Sequence, residues 1–188
     1  MSKSVWQVVS PEVVSDAYGD ESQRLFEMFL GPLEAVKPWS EKGIEGVNRF
    51  LKKVWREFSD NSKHSEGEET NADTLKLLHE TIKKVTEDVE NLRFNTAISQ
   101  MMILINHLQK AEAYATETAK TLLRLLAPFA PHLSEELWER LGGAPSVVNH
   151  PCPESREDSL APDERVTVFQ VNGKLTAEGQ FPKDLGNI

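Results

Sequence analysis

Residues 74–92, TLKLLHETIKKVTEDVENL, place an apolar side chain at alternating steps of three and four. Steps of this size align the apolar side chains along one side of an α-helix, as in the seam between packed helices. The seam consists of Leu75, Leu78, Ile82, Val85, Val89 and Leu92. The stretch therefore predicts a helical bundle as the centre of the fold.

Two helices are predicted next to this seam. The first runs from Ser40, as its N-cap, to about Phe58. The second follows a change of phase near Arg93. Its apolar residues are Ala97, Ile98, Met101, Met102, Ile105 and Leu108. Together with the seam, these helices supply three sides of a bundle.

Two more helices are expected toward the C-terminus. A fourth helix is predicted from about Glu112 to Ala127, where Pro128 and Pro131 interrupt the pattern. Ser134 is then expected to cap a last short helix, EELWERL, which stops at the glycine pair 142–143.

The two ends of the chain have a different character. Ser10-Pro11 predicts the start of a short helix. Near the other end, RVTVFQVNGKLTAEGQF (165–181) has two β-rich runs around Asn172-Gly173, the pattern of a β-hairpin. Because a lone two-stranded hairpin is marginal in water, we expect the chain to be a piece of a longer protein.

The fold class that these patterns predict is mainly α. We predict four regions: a short α/β segment at 1–39, a helical bundle at 40–143, a linker at 144–165, and the truncated start of a small α/β domain at 166–188.

The charge of the chain is unevenly distributed. The net charge of −9 at first argues against binding to nucleic acid, because lysine and arginine dominate phosphate contacts. However, two probable loops, residues 59–73 and 142–165, hold −4 and −3 of that charge. A local basic surface therefore remains compatible with the composition.

The cellular setting is predicted to be the cytoplasm. Cys152 is the single cysteine, so the chain forms no internal disulfide, which fits a reducing compartment. No apolar run is long enough for a bilayer, and the start lacks the pattern of a signal peptide. We expect no membrane partner.

Four basic residues on the predicted helix 40–58 form the candidate binding site. They are Arg49, Lys52, Lys53 and Arg56, spaced i, i+3, i+4 and i+7 beside an apolar face. A row of cations on one helix face suits contact with RNA phosphates. The alternative is a solvated helix face whose aliphatic stems cover the core.

Several segments, in this order, resemble leucyl-tRNA synthetases of the bacterial type, which are class I aminoacyl-tRNA synthetases. They are MSKS (1–4), VVSPEVVSDAYG (8–19), RLFEMFLGPLEAVKPWSEKGIEGVNRFLKKVW (24–55), FNTAISQMM (94–102), LLRLLAPFAPHLSEELWERLG (122–142) and VFQVNGKL (168–175). The resemblance covers nearly the whole chain and implies the anticodon-binding helical bundle of that family.

The resemblance also implies an activity for the parent protein. Such an enzyme joins leucine to ATP, with Mg²⁺, and then ligates leucine to tRNA(Leu). Met1, Ser2, Lys3 and Ser4 match the ATP-binding KMSKS loop, with Lys3 as its catalytic lysine, and the four cations of helix 40–58 are the implied tRNA contacts. Since no HIGH signature is present, we expect these residues alone to be non-catalytic and without a cofactor. A monomer is expected, although no motif determines the oligomeric state.

Other interpretations remain open at this point. A stand-alone RNA-binding module would bind tRNA without catalysis, and a helical interaction scaffold would not bind it at all. Isoleucyl- or valyl-tRNA synthetase is disfavoured by VNGK (171–174). The tryptophans at 39, 55 and 138 are expected to pack rather than to stack on bases, whereas Trp6 is expected to be exposed. His150 and Cys152 are too few for a zinc site.

Overall fold

The computed structural model describes residues 9–32, 34–36, 39–60, 62–67, 69–156, 164–171 and 174–182. The chain divides into two compact units, residues 1–155 and residues 156–188. The described part of the first unit contains seven α-helices: α1 Pro11–Tyr18, α2 Asp20–Phe29, α3 Glu41–Ser59, α4 Ala72–Glu90, α5 Phe94–Leu108, α6 Thr116–Leu126 and α7 Pro131–Arg140. The predicted mainly α class is confirmed, while the four predicted region limits stay predictions.

The α4–α5 pair forms the centre of the bundle. On α5, Ile98, Met101 and Leu104 are fully buried, and Leu78 and Ile82 of α4 pack into the same core. The predicted seam is thus correct in its middle. Its two ends are not buried: Leu75 is 38% exposed and Leu92, which follows α4, is 58% exposed.

The first turns of α3 and α4 are capped by side chains, of which the Ser40 cap was predicted from the sequence. The Ser40 hydroxyl accepts a hydrogen bond from the Gly43 N–H at 3.3 Å. The Asn71 amide oxygen accepts one from the Thr74 N–H at 2.8 Å. Each cap satisfies a backbone donor that has no partner within its helix.

The expected capping role of Ser134 is wrong. The last helix begins at Pro131, so Ser134 lies within it and is buried. Proline suits the first position of a helix, and a side chain from α2 supplies the cap instead. The Glu21 carboxylate accepts hydrogen bonds from the backbone N–H groups of His132 and Leu133.

The expected start of the fourth helix is also wrong. Two short parallel strands, β1 His64–Ser65 and β2 Tyr114–Ala115, pair with each other, and α6 begins only at Thr116. The Tyr114 N–H donates to the Lys63 carbonyl at 3.0 Å. This long-range bond holds residues in an extended form that local periodicity assigned to a helix.

The second unit contains an antiparallel hairpin, as predicted. Its strands are β3 Glu164–Val171 and β4 Lys174–Pro182. The pairing runs from Glu164 opposite Pro182 to Val171 opposite Lys174, with a shift of register between Phe169 and Gln170. The predicted turn at Asn172-Gly173 lies outside the described residues.

Candidate nucleic-acid interface

The four residues predicted to bind ATP lie outside the described part of the chain. They are Met1, Ser2, Lys3 and Ser4. The role of Lys3 as a catalytic lysine therefore stays a prediction. Trp6 lies outside the described residues as well.

The four predicted RNA contacts all belong to α3. Arg49, Lys52 and Arg56 are exposed, and Lys53 is half-buried. At 3.6 residues per turn, they occupy an arc of about 100° around the helix axis. The opposite side of α3 is buried in the core through Ile44, Val47, Phe50, Leu51, Val54 and Phe58. One helix therefore carries both a core face and a basic surface. We call the surface formed by Arg49, Lys52, Lys53 and Arg56 the α3 basic face.

The α3 basic face is free of acidic partners among the described residues. The Lys53 ammonium donates to the Asn106 side-chain oxygen at 2.7 Å, and the Arg56 Nε donates to the Lys52 carbonyl at 3.3 Å. Neither acceptor is an anion. Within the described residues, every ion pair involves other side chains. No ion pair of the described residues therefore neutralises these four cations.

A groove of about 420 Å³ adjoins the α3 basic face. It lies between α3 and α5, and its lining residues are Gly46, Arg49, Phe50, Lys53, Met102 and Asn106. We call it the α3–α5 groove. Sequence reasoning found Arg49 and Lys53 through their spacing on one helix. It missed Asn106, because nothing local indicates that α5 packs beside α3. Gly46, a glycine inside a strongly amphipathic helix, was a signal that sequence reasoning could have used.

A buried acid explains why the end of α3 does not neutralise its own cations. Glu57 is only 8% exposed, and it accepts a hydrogen bond from the Tyr114 hydroxyl at 3.0 Å. Lys63 lies 3.6 Å from the same carboxylate oxygen. Burial, together with the Glu57 charge and hydrogen bond, raises the pKa of Tyr114 above its ordinary range. Glu57 therefore faces inward, although it lies four residues after Lys53.

The tryptophans pack largely as expected. Trp138 is 5% exposed and its ring N–H donates to the Pro145 carbonyl at 2.9 Å. Trp39 meets Phe26 edge-on, with ring centroids 5.2 Å apart. Trp55 is half-buried, and the Arg140 guanidinium lies over its ring, 4.6 Å from the ring centroid.

Two further observations concern metals and membranes. The His150 ring lies against the Trp138 ring, tilted by 54° with centroids 4.6 Å apart, and Cys152 is exposed. Across the described residues, no three His, Cys, Asp or Glu side chains are grouped so that they could hold a metal ion. In the same part of the chain, every helix is too short or too polar to cross a membrane.

Comparison with known proteins assigns most of the chain to a family. Residues 71–186 match the family described as the anticodon-binding domain of tRNA ligase. The chain belongs to this family of tRNA-ligase domains.

The most informative relatives are leucine–tRNA ligases. The chain is 50% identical over 187 residues to the leucine–tRNA ligase of Chlorobaculum tepidum, and 48% identical over 180 residues to that of Chloroherpeton thalassium. These matches cover 97% and 93% of this chain, but only 23% and 22% of the relatives. The chain thus spans about a quarter of the length of the relatives it matches.

A solved structure agrees with these relatives. The chain superimposes on the LeuRS in the ternary complex of Agrobacterium radiobacter K84 agnB2 LeuRS, tRNA and LeuAMS, with a TM-score of 0.82 and 32% identity. The match covers 98% of this chain and 26% of that chain. The resemblance to leucyl-tRNA synthetases that the sequence motifs indicated is confirmed.

Proposed function

We propose that this chain is a part of a leucyl-tRNA synthetase and contributes tRNA contacts to it. The observation that carries the proposal is the α3 basic face, whose cations have no acidic partner among the described residues. The solved LeuRS neighbour is a complex with tRNA, which supports RNA as the partner of this face. We expect these cations to contact phosphates, which fix position rather than read sequence, because lysine and arginine dominate phosphate binding.

The catalytic part of the proposal rests on the resemblance of MSKS to the family loop. In the parent enzyme, leucine reacts with ATP to give leucyl-adenylate and pyrophosphate, and the leucyl group then passes to the 3′ end of tRNA(Leu). Lys3 stabilises the negative charge that develops on the departing pyrophosphate. Mg²⁺ accompanies ATP as part of the substrate. We assign the parent enzyme to the cytoplasm.

Salt-dependent binding to a tRNA(Leu) transcript tests the RNA-binding proposal. Neutralised phosphates release counterions, so affinity should fall linearly on a logarithmic salt scale. Arg49→Glu combined with Lys53→Glu should weaken binding by at least about tenfold and flatten this slope. The readout is fluorescence anisotropy at four or more salt concentrations.

A matched pair of substitutions separates the α3 basic face from total charge. Lys76 and Lys83 are exposed on α4, so Lys76→Glu with Lys83→Glu changes the net charge equally. This control should stay within about twofold of the unaltered chain, because screening weakens charges far from the bound RNA. Equal losses in both double variants would remove α3 as the binding surface. Absence of tRNA binding by the unaltered chain would remove the proposal itself.

Leucine-dependent exchange between ATP and pyrophosphate tests the catalytic part. We expect only background exchange from these 188 residues, since an adenylate-forming site needs converging groups beyond the MSKS loop. Exchange above background that depends on Lys3 would show that the chain carries a complete activation site.

A further inference from the structure

The α3–α5 groove combines hydrogen-bond donors with an apolar floor. Arg49, Lys53 and Asn106 supply donors at its edge, while Phe50 and Met102 supply apolar surface. Phe50 is 3% exposed and Met102 is half-buried. No residue that lines the groove in the described part of the chain carries a carboxylate. The groove therefore suits an anionic group that has an apolar or sugar moiety attached.

The contact between Lys53 and Asn106 fixes which way the Asn106 amide faces. An ammonium group only donates, so the Asn106 atom 2.7 Å from Lys53 is the carbonyl oxygen. The NH₂ group then lies on the other branch of the amide. Among the described residues, this NH₂ group has no acceptor. Two N–H donors of Asn106 thus remain available beside the cations of α3.

Gly46 lines the groove, and no packing contact requires a glycine at this position. A Cβ atom at Gly43 on the same helix would lie 2.5 Å from Phe26 Cε2, so packing requires that glycine. A Cβ atom at Gly46 would meet nothing within 4 Å. Glycine inside a helix is unfavourable relative to alanine. Its presence at 46 is therefore best explained by something that occupies the groove.

We propose that the α3–α5 groove binds one phosphodiester of tRNA. The phosphate lies against Arg49, Lys53 and the Asn106 NH₂ group, and the attached ribose lies over Gly46 and Met102. Lys52 and Arg56, which lie outside the groove lining, contact neighbouring phosphates. This inference rests on the proposed tRNA-binding function and adds a defined binding site for one nucleotide.

The first test reverses the chemistry of the groove at Asn106. Asn106→Asp puts a carboxylate next to Lys53, which both neutralises the ammonium and repels a phosphate. Affinity for a tRNA(Leu) transcript should fall about tenfold, as for the loss of hydrogen bonds to a charged group. Asn95→Asp is the matched control, since it makes the same charge change on the same helix outside the groove. It should change affinity by less than about twofold.

The second test fills the groove without changing its charge. Gly46→Leu places a side chain in the open space, and it should lower tRNA affinity by about fivefold or more and reduce the salt slope by about one ion, because one phosphate contact is lost. Ala72→Leu adds similar bulk at an exposed position of α4 that does not line the groove. It should leave both quantities unchanged. Circular dichroism checks that all four variants keep the helical content of the unaltered chain.

The outcomes separate this inference from the proposed function. If the unaltered chain binds tRNA but Asn106→Asp and Gly46→Leu bind like their controls, the nucleotide site in the groove is refuted, while the proposed tRNA binding is supported. If the unaltered chain binds no tRNA, both are overturned. If tRNA affinity falls in Asn106→Asp and Gly46→Leu but not in their controls, the nucleotide site in the groove is supported.

Discussion

Two sets of cations in this bundle have opposite surroundings. Lys84 and Arg93, near the end of α4, each donate to the Asp88 carboxylate at 2.8 Å, and that carboxylate is fully buried. The cations of the α3 basic face have no such anion among the described residues. The first set is paired with an anion inside the fold, whereas no described ion pair involves the second set. The two sets therefore differ in whether the fold itself supplies their counter-charge.

The largest effect on stability should come from Asp88. Asp88→Ala removes the common acceptor of Lys84 and Arg93, and it leaves a buried gap. Because both cations are half-exposed and regain water, we expect a loss of about 2–3 kcal/mol in the free energy of unfolding. Chemical denaturation followed by the helical circular dichroism signal measures it.

Because the Asp88 ion pairs do not involve the α3 basic face, the loss of stability in Asp88→Ala should not change RNA binding. Asp88→Ala should bind tRNA with the affinity of the unaltered chain at a temperature where it is folded. Glu80→Ala, at an exposed position of the same helix, should change stability by less than about 0.5 kcal/mol. A loss of tRNA affinity in folded Asp88→Ala would contradict the division between the two sets.

The stabilisation by the Asp88 ion pairs should depend on pH in the acid range. Burial would raise the pKa of Asp88, but hydrogen bonds from Lys84, Thr96 and Arg93 outweigh it and hold the pKa below its ordinary value of 3.8. A lowered folded pKa means that the stabilisation is complete above pH 3.8 and is lost as the pH falls through the folded value. The difference in unfolding free energy between the unaltered chain and Asp88→Asn should therefore shrink below that pH. A constant difference down to about pH 2 would show that Asp88 does not titrate as a paired carboxylate.

A smaller effect is expected at the acid that faces inward from α3. Tyr114→Phe removes the hydroxyl donor of buried Glu57 and should cost about 1–2 kcal/mol, because Lys63 is left as the only described partner of this carboxylate. Tyr18→Phe is the matched control, since the described hydrogen bond of Tyr18 uses its backbone carbonyl. Equal stability of the two variants would show that Glu57 does not depend on Tyr114.

Much of the bundle could be predicted because its signals are local. Apolar spacing located α3, α4 and α5, Ser40 marked the start of α3, and the spacing of Arg49 and Lys53 indicated a basic helix face. The missed features depend on contacts between distant residues. The extended start at Tyr114 requires pairing with His64, and the role of Asn106 requires α5 beside α3.

The smallest change in stability is expected at Gly46, beside the cations of the α3 basic face. Gly46→Ala puts a methyl group into open space inside α3, so it should raise the free energy of unfolding by about 0.5–1 kcal/mol through helix propensity. Gly43→Ala, three residues earlier, should lower it, because the new Cβ would lie 2.5 Å from Phe26 Cε2. Opposite signs at two glycines of one helix would show that the first is retained at the expense of stability while the second is required for packing. If Gly46→Ala is instead destabilising, the glycine has a structural role within the bundle, and the open groove is no longer a sign of a partner.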